Sequence, residues 1–330
     1  MSPPKVIVFG ATGGVGSAAA RTAQAHGASV VLALRDTTKK VPGLSAEDEK
    51  TGAFQRVQGD LSKPGTLHDA VAATGATRAF IYMVHDGVDD HLRAALTALK
   101  AAGVEFVVFL SSYGVQGDIR AITPATFIPY AHAQVEIALE EVFGPGTYVA
   151  LRPAYFASNS LQWGGQIRAG TGEVTVPYPS AEFDWVVPED IGRVAGSLLA
   201  RGALKTTAAS PGDGGAEDSG RSYLYLMGPE MISQADVLQY IGDAVGRDIH
   251  VEAIVDDDEA TEFLIAAVHV PDAGARGLVS MLRNRAAGTD KEFERHPDYK
   301  EMVDNVAKYG GKQPTLFREW LQENKDLFRA

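Results

Sequence analysis

The chain has 330 residues, 45% of them hydrophobic and 22% charged, and 30 basic against 42 acidic residues give a net charge of −12. That composition supplies a sizeable core and excludes a chain disordered throughout, while the acidic balance argues against nucleic-acid and anionic-membrane partners, which need clustered Lys and Arg. Cysteine is absent, so disulfides, thiolate metal sites and cysteine nucleophiles are excluded, and with eight histidines in all no metal site is expected. At about 150 residues per folding unit the length suggests two units. The opening residues carry no charged n-region followed by a long apolar stretch, and no segment approaches the ~20 apolar residues of a membrane span. A cytoplasmic protein is expected.

Lys5 to Gly10 (KVIVFG) is a short apolar run ending in glycine, as in a strand buried on both faces. A Gly-rich turn follows, then a helix over Ser17 to His26 and a second strand over Ala28 to Arg35. Phe54 to Gly59 predicts a third strand, Leu67 to Thr74 a helix, and Arg78 to Val84 a fourth strand. Asp89 to Gly103 reads as a helix opened by Asp89 or Asp90, Phe106 to Ser111 as a fifth strand, Tyr130 to Val142 as a long helix and Thr147 to Arg152 as a sixth strand. This alternation predicts an α/β fold, a Rossmann-type doubly wound parallel sheet.

Beyond Pro153 the pattern loosens. Trp163 to Val176 is glycine-rich and mixed, and Pro188 to Leu204 predicts a helix returning to the first unit. Lys205 to Gly220 has low complexity and reads as an exposed, flexible loop over 205–221. Tyr223 to Met227 predicts a strand, Ser233 to Val245 a helix stopped by Gly246, His250 to Val255 a strand, and Thr315 to Phe328 a final helix. Asp256 to Glu259 reads as a solvated helix start. The expected division is a dinucleotide-binding unit over 1–155, with 184–204 and 222–228 returning to it. A smaller, discontinuous substrate-binding portion covers 156–183 and 229–330.

Gly10-Ala11-Thr12-Gly13-Gly14-Val15-Gly16 places glycines at i, i+3 and i+6 between a strand and a helix. Gly10 allows a tight turn, Gly13 lets backbone N–H groups approach a pyrophosphate, and Gly16 allows the helix to pack closely on the strand. Thr12, Gly14 and Val15 complete the loop, and the helix N-terminus adds partial positive charge. No Gly-Lys-Ser/Thr follows, so this is not a nucleotide-triphosphate loop of the Walker type. Arg35, at the end of the second strand, can pair with a 2′-phosphate, where an acidic residue would select the free ribose of NAD; Lys39 and Lys40 add positive charge nearby. NADP(H) is the expected cofactor, although Asp36 stands one position later.

The GxxGxxG spacing resembles the extended or atypical branches of the short-chain dehydrogenase/reductase superfamily. Further segments resemble its NmrA-like group: Phe109-Leu110-Ser111-Ser112-Tyr113-Gly114, Leu151-Arg152-Pro153-Ala154-Tyr155-Phe156-Ala157-Ser158-Asn159, Asp184-Trp185-Val186-Val187-Pro188-Glu189-Asp190-Ile191 and Tyr225-Leu226-Met227-Gly228-Pro229-Glu230. The resemblance implies that Asp60 and Leu61 lie at the adenine edge, and that Val84, His132, Pro153, Tyr155 and Phe156 contact the cofactor. The group includes NADPH-dependent reductases, quinone reductases and regulators that bind cofactor without turnover. It also resembles fungal secondary-metabolism enzymes, some with non-redox chemistry.

In this superfamily a serine, a tyrosine and a lysine carry the proton chemistry. Ser112 fits the serine by position. The long helix reads Tyr130-Ala131-His132-Ala133-Gln134-Val135-Glu136, which lacks the expected Tyr-x-x-x-Lys in either register. With Tyr130 as the tyrosine, Gln134 replaces the lysine. Anchored on Glu136, the lysine position falls on His132 and the tyrosine position on Ile128. Candidate catalytic residues are therefore Ser112, Tyr113, Tyr130, His132 and Tyr155. His85, Asp86, Asp89 and His91 follow the fourth strand and read as a polar loop and helix cap rather than a metal site. Trp163, Trp185 and Thr261 to Met281 read as core, with a substrate wall as the alternative. The leading expectation is an NADPH-dependent oxidoreductase acting on a small, largely apolar carbonyl or activated alkene. The alternatives are a non-redox isomerase or cyclase that keeps NADP(H) in its pocket, and an NADP-sensing regulator without turnover.

Overall fold

The computed structural model describes residues 3–50, 52–84, 90–202, 222–268, 272–290 and 298–329. Five largely apolar runs and the more polar Phe54–Gln58 form parallel strands β1 (Lys5–Phe9), β2 (Ser29–Leu34), β3 (Phe54–Gln58), β4 (Arg78–Tyr82), β5 (Phe106–Leu110) and β6 (Tyr148–Pro153). Later in the chain, β9 (Tyr223–Leu226) pairs parallel to β6. The resulting seven-stranded sheet has the order β3-β2-β1-β4-β5-β6-β9, so the order reverses between β1 and β4. In such sheets ligands enter at that switch point, beyond the carboxyl ends of the strands.

Successive side chains of each strand enter opposite layers. Val6 and Val8 join a core formed with α1 (Gly14–Ala25) and α7 (Pro188–Arg201); Ile7 and Phe9 join one formed with α3 (Pro64–Thr74), α4 (Arg93–Ala101) and α5 (Phe127–Phe143). Helices α1 and α7 touch almost backbone to backbone. A Cβ on Gly192 would lie 2.6 Å from the Val15 carbonyl, and one on Gly196 would lie 2.4 Å from the Ala19 carbonyl. Glycine at both positions, facing Ala18, Ala19 and Ala23, is what allows that approach.

The chain after β6 builds a second core. A 3₁₀ segment (Ala157–Trp163), α6 (Gly164–Ala169), β7 (Glu173–Pro177), β8 (Glu182–Phe183), β10 (Ile232–Ser233), α8 (Gln234–Val245), β11 (His250–Ile254), α9 (Asp257–Val268) and α10 (Asp272–Ala286) surround Trp163, Phe183 and Trp185. Trp185 is fully buried, and its indole N–H donates to the Ile232 carbonyl at 2.8 Å. Both tryptophans are core residues, as are Leu264, Ala275 and Val279 from the 261–281 segment.

The last helices, α11 (Tyr299–Gly310) and α12 (Phe317–Asn324), return to the first core and the second core respectively. Between them, Thr315 donates through its N–H at 2.6 Å and its hydroxyl at 2.8 Å to Asp190. Asp190 is fully buried in the first turn of α7 and also accepts from Arg193 at 2.6 Å.

Several boundaries depart from the sequence reading. Helix α1 begins at Gly14 rather than Ser17, and α5 at Phe127 rather than Tyr130 because Pro129 fits the first turn, where no N–H is needed. Helix α4 starts only at Arg93: His91 and Leu92 both have left-handed backbone (φ 48° and 63°). The Asp90 carboxylate holds that turn by accepting from the N–H groups of Leu92 and Ala94. The final helix begins at Phe317 and ends in a 3₁₀ turn over Lys325–Phe328. The acidic run is a helix start as expected, with Asp256 accepting from the N–H groups of Asp258 and Glu259. The loop expected over 205–221 lies outside the described residues. Among the described residues no helix is long and apolar enough to cross a membrane.

Candidate functional site

The Gly-rich turn leaves β1 at the switch point. Gly10 adopts φ +70°, and the Tyr82 ring at the end of β4 fills the space beside it, 2.7 Å from where a Cβ would stand. A Cβ on Gly16 would lie 2.3 Å from the Gly10 carbonyl, so Gly16 is demanded by the packing of α1 on β1. Gly13 is different. Its backbone is extended (φ −94°, ψ 163°), a conformation open to any residue. A Cβ there would meet only the Gly10 carbonyl, at an ordinary 3.5 Å. The fold itself does not ask for glycine at this position.

The first bond inside α1 runs from the Ser17 N–H to the Gly13 carbonyl at 2.9 Å. The N–H groups of Gly14, Val15 and Gly16 therefore have no acceptor among the described residues, and Thr12, Gly13 and Gly14 are exposed. Three donors and the positive end of a 12-residue helix converge on one exposed turn, a donor set suited to a phosphate group.

The other residues expected to meet a cofactor sit on neighbouring strand ends. Arg35 is exposed after β2, close enough to Asp60 to help lower its pKa. Burial works against the Asp60 carboxylate, but bonds from Ser62 N–H and hydroxyl at 3.1 and 2.8 Å hold its pKa below the usual range. Leu61 is buried among α3 and α4 side chains. Val84 is half-buried beyond β4 and Pro153 is buried at the end of β6. Phe156 bridges to Val186. His85, Asp86 and Asp89 lie outside the described residues.

The helix face opposite these strand ends is set by one buried ion pair. Glu136 on α5 accepts from Arg152 on β6 at 3.0 and 2.6 Å and from the Ser111 hydroxyl at 2.5 Å. Arg152 also donates to the Tyr225 hydroxyl at 3.0 Å and lies 3.9 Å above the Tyr223 ring; the Tyr225 hydroxyl donates to the Val115 carbonyl at 3.0 Å. Burial opposes the Arg152 charge, but the Glu136 carboxylate keeps its pKa above the ordinary value.

With Glu136 turned inward, His132 lies one helical turn toward the strand ends on the same face, and Ile128 one turn further. The His132 ring leans on Phe109 with centroids 6.1 Å apart. Its Nδ1 lies 2.9 Å from the Ile128 carbonyl, which can only accept, so Nδ1 carries the hydrogen. Tyr130, about 200° around the helix from His132, meets the edge of His91 instead, at 5.7 Å. Of the two candidates on this helix, His132 is the one that shares the inward face with Glu136.

The candidate proton donors are not brought together. The Ser112 hydroxyl accepts from the Gly114 N–H at 3.3 Å. Tyr113 is buried against Met227 and Met302, with its ring 5.4 Å from that of Tyr225. Tyr155 stacks on Phe183 at 4.0 Å and meets the edge of Trp185 at 5.0 Å. Burial pushes its phenol pKa up, and its hydroxyl bonds with Gln162 and Asn159.

Asp184, quoted in the sequence only as part of a motif, is the main residue that sequence reasoning missed. Its carboxylate accepts from the Tyr155 N–H at 3.1 Å and the Gly228 N–H at 2.9 Å, tying together the chain after β6 and the chain after β9. A Cβ on Gly228 would stand 1.6 Å from the Asp184 carbonyl, so only glycine fits. Burial pushes the Asp184 pKa up to about 6, against the two backbone N–H bonds and the Arg285 charge, which lower it. A carboxyl with a raised folded pKa binds its proton more readily in the folded state. Its contribution is therefore most favourable below pH 4 and is lost as pH rises through about 6. In melts between pH 4 and 7, the melting temperature of wild type relative to Asp184→Asn is expected to fall with rising pH; parallel profiles would show that Asp184 does not titrate in this window.

A scan against protein families matches residues 3–209 to the NmrA-like family. A nitrogen metabolite regulation-like protein, bik4 of Gibberella fujikuroi, is 38% identical over 327 residues, covering 96% of this chain and 95% of that protein. The short chain dehydrogenase/reductase dmxR12 of Cryptosporiopsis is 28% identical over 178 residues, 52% of this chain and 67% of that protein. Among solved structures, the NADPH-dependent quinone oxidoreductase QOR2 of Escherichia coli, complexed with NADPH, superposes with a TM-score of 0.67 at 15% identity, covering 97% and 99% of the two chains. The negative transcriptional regulator NmrA in complex with NADP superposes with a TM-score of 0.66 at 16% identity, covering 99% and 97%. The switch-point glycine loop, the parallel sheet and full-length similarity to bik4 agree: this chain belongs to the NmrA-like family.

Proposed function

We propose that the crevice binds NADP(H), and that the protein is an NADPH-dependent oxidoreductase acting on a small, conjugated, largely apolar acceptor such as a quinone. The observation that carries the cofactor reading is Gly13, a glycine in unstrained extended backbone with no neighbour to avoid. An empty Cβ position beside three N–H donors without acceptors leaves room for a diphosphate to reach the backbone. Arg35, Lys39 and Lys40 supply cations on the side where a 2′-phosphate would lie. When bound, the nicotinamide supplies a hydride.

The acceptor class follows from what surrounds the crevice. Half-buried Tyr155 has a raised pKa, so it is not a ready acid, and Tyr113 is buried against methionines. Quinones suit such a site, because a hydroquinone anion is stable enough to collect its proton from water. His132 would hydrogen-bond a hydroxyl at this face of α5. QOR2, which shares the fold, bears the name of a quinone oxidoreductase.

A second reading, a cofactor-binding regulator without turnover, is favoured by the missing Tyr-x-x-x-Lys pair and by the name of the 38%-identical relative. One experiment separates the two: fluorescence titration with NADPH and NADH, followed by NADPH absorbance with a panel of quinones. NADPH is expected to bind about tenfold or more tighter than NADH, a difference of roughly 1.4 kcal/mol. Consumption of NADPH by a quinone supports the reductase. Binding without consumption across the panel supports the regulator, and no binding of either nucleotide overturns both.

A further inference from the structure

The segment after β2 is stapled by two arginines from outside it. Arg56 on β3 donates through Nη1 to the carbonyls of Thr37 and Lys39, both at 2.7 Å. Its Nε and Nη2 fork onto the carboxylate of Glu49 at 2.5 and 2.7 Å, in the short helix α2 (Ala46–Lys50). That bond draws the Glu49 pKa down and raises that of Arg56. At the other end of the segment, Arg21 on α1 donates to the Pro42 carbonyl at 2.6 Å. Gly43 makes room for it: a Cβ there would lie 2.1 Å from the guanidinium.

Inside the segment, Asp36 is turned onto its own loop. Its Oδ1 accepts from the Thr38 N–H at 2.9 Å and the Thr38 hydroxyl at 2.7 Å. Asp36 is the acidic residue that follows Arg35 in the chain, and an acidic group at this strand end is what would hold a free ribose 2′-hydroxyl. Arg35, Lys39 and Lys40 are exposed and carry no ion pair among the described residues. The staples fix the backbone while leaving these three cations for a partner. A preformed cationic rim binds a phosphate without first losing the freedom of a loose loop.

We propose that Arg56 and Thr38 are positioning residues for cofactor choice: Arg56 holds the 35–40 loop so that Arg35, Lys39 and Lys40 meet a 2′-phosphate, and Thr38 keeps Asp36 from a ribose 2′-hydroxyl. The inference rests on the NADP(H) reading above. Neither residue needs to touch the nucleotide. Arg56 is suited to the task because one planar fork serves two carbonyls and a carboxylate, which an ammonium group cannot reproduce.

The test is fluorescence titration with NADPH and NADH of wild type, Arg56→Met, Thr38→Val and Thr38→Val with Asp36→Asn. Arg56→Met is expected to lower the NADPH preference about tenfold while NADH affinity changes by less than about threefold. Thr38→Val is expected to lower the preference about threefold or more, and adding Asp36→Asn to restore it. An unchanged ratio in Arg56→Met and Thr38→Val, or equal losses for both nucleotides, would overturn the proposal. If Arg56→Met does not fold, the exposed Thr38 pair decides by the same ratios. Wild type that binds both nucleotides equally overturns this inference and leaves the cofactor site standing; wild type that binds neither overturns the site itself.

Discussion

Replacing Gly13 by valine is expected to abolish detectable NADPH binding, a loss of at least about a hundredfold, roughly 2.7 kcal/mol, while the folded protein persists. The backbone at Gly13 is extended, and a Cβ there would sit 3.5 Å from the nearest atom, so the apo-protein accommodates a side chain. A valine would occupy the approach to the N–H groups of Gly14, Val15 and Gly16 and separate them from a phosphate. Gly16→Ala is the contrasting control, because its Cβ would lie 2.3 Å from the Gly10 carbonyl and must disturb α1 itself. Titration with NADPH beside a thermal melt separates the cases. A Gly13→Val protein that melts like wild type and still binds NADPH normally would remove the loop from the cofactor site.

Arg152→Met is expected to destabilise the protein by about 3–5 kcal/mol, as when one partner of a buried ion pair is removed. Arg152 and Glu136 are both almost fully buried, and truncating the arginine leaves the Glu136 carboxylate, among the described residues, with the Ser111 hydroxyl as its bonded partner. The arginine also bridges β6 to the Tyr225 hydroxyl and the Tyr223 ring on β9. Adding Glu136→Leu should recover a large part of the loss, since the unpaired charge is then gone. Urea denaturation of the two singles and the double measures the coupling. A loss under about 1 kcal/mol in Arg152→Met would mean that the carboxylate finds water or another partner.

The parallel sheet was legible because six of its strands are apolar runs ended by glycine, polar residues or proline, and the loop at Gly10 stands between two such elements. The smaller half was less so. Helix α10 opens with Asp-Ala-Gly-Ala-Arg-Gly, whose two glycines mask a buried stripe of Ala275, Val279 and Leu282. Helix α11 buries only Met302, Asn305 and Val306. Strand β7 follows Gly170 and Gly172 and pairs with β11, more than seventy residues away, a contact with no local signature.

In the candidate site, residue type singled out Arg35 and the glycines as candidates, but not what the surrounding side chains do with their bonds. Arg56 sits in a polar strand, Phe-Gln-Arg-Val-Gln, and reads as a solvated face. Its role comes from carbonyls that only the folded loop presents. Asp36, which in the sequence counts toward NAD, accepts two bonds from Thr38 that the sequence does not announce. Which face of α5 turns inward was open in the sequence, and the buried Arg152 partner of Glu136 fixes it.

The clasp between Asp190 and Thr315 bears on how this chain can be cut. Residues 3–209 match the family, and by that measure look like a module that could be moved or expressed alone. Yet the buried carboxylate in the first turn of α7 takes two of its hydrogen bonds from position 315, and β9, at 223–226, completes the edge of the main sheet. A chain ended at 209 would expose the β6 edge and strand a buried acid beside the helix that supports the phosphate loop. A chain ended at 209 is therefore expected to fold less stably than the whole protein, which a thermal melt of the two would check. Fusions, truncations and domain swaps in this protein have to carry β9 and the C-terminal helices with the first six strands.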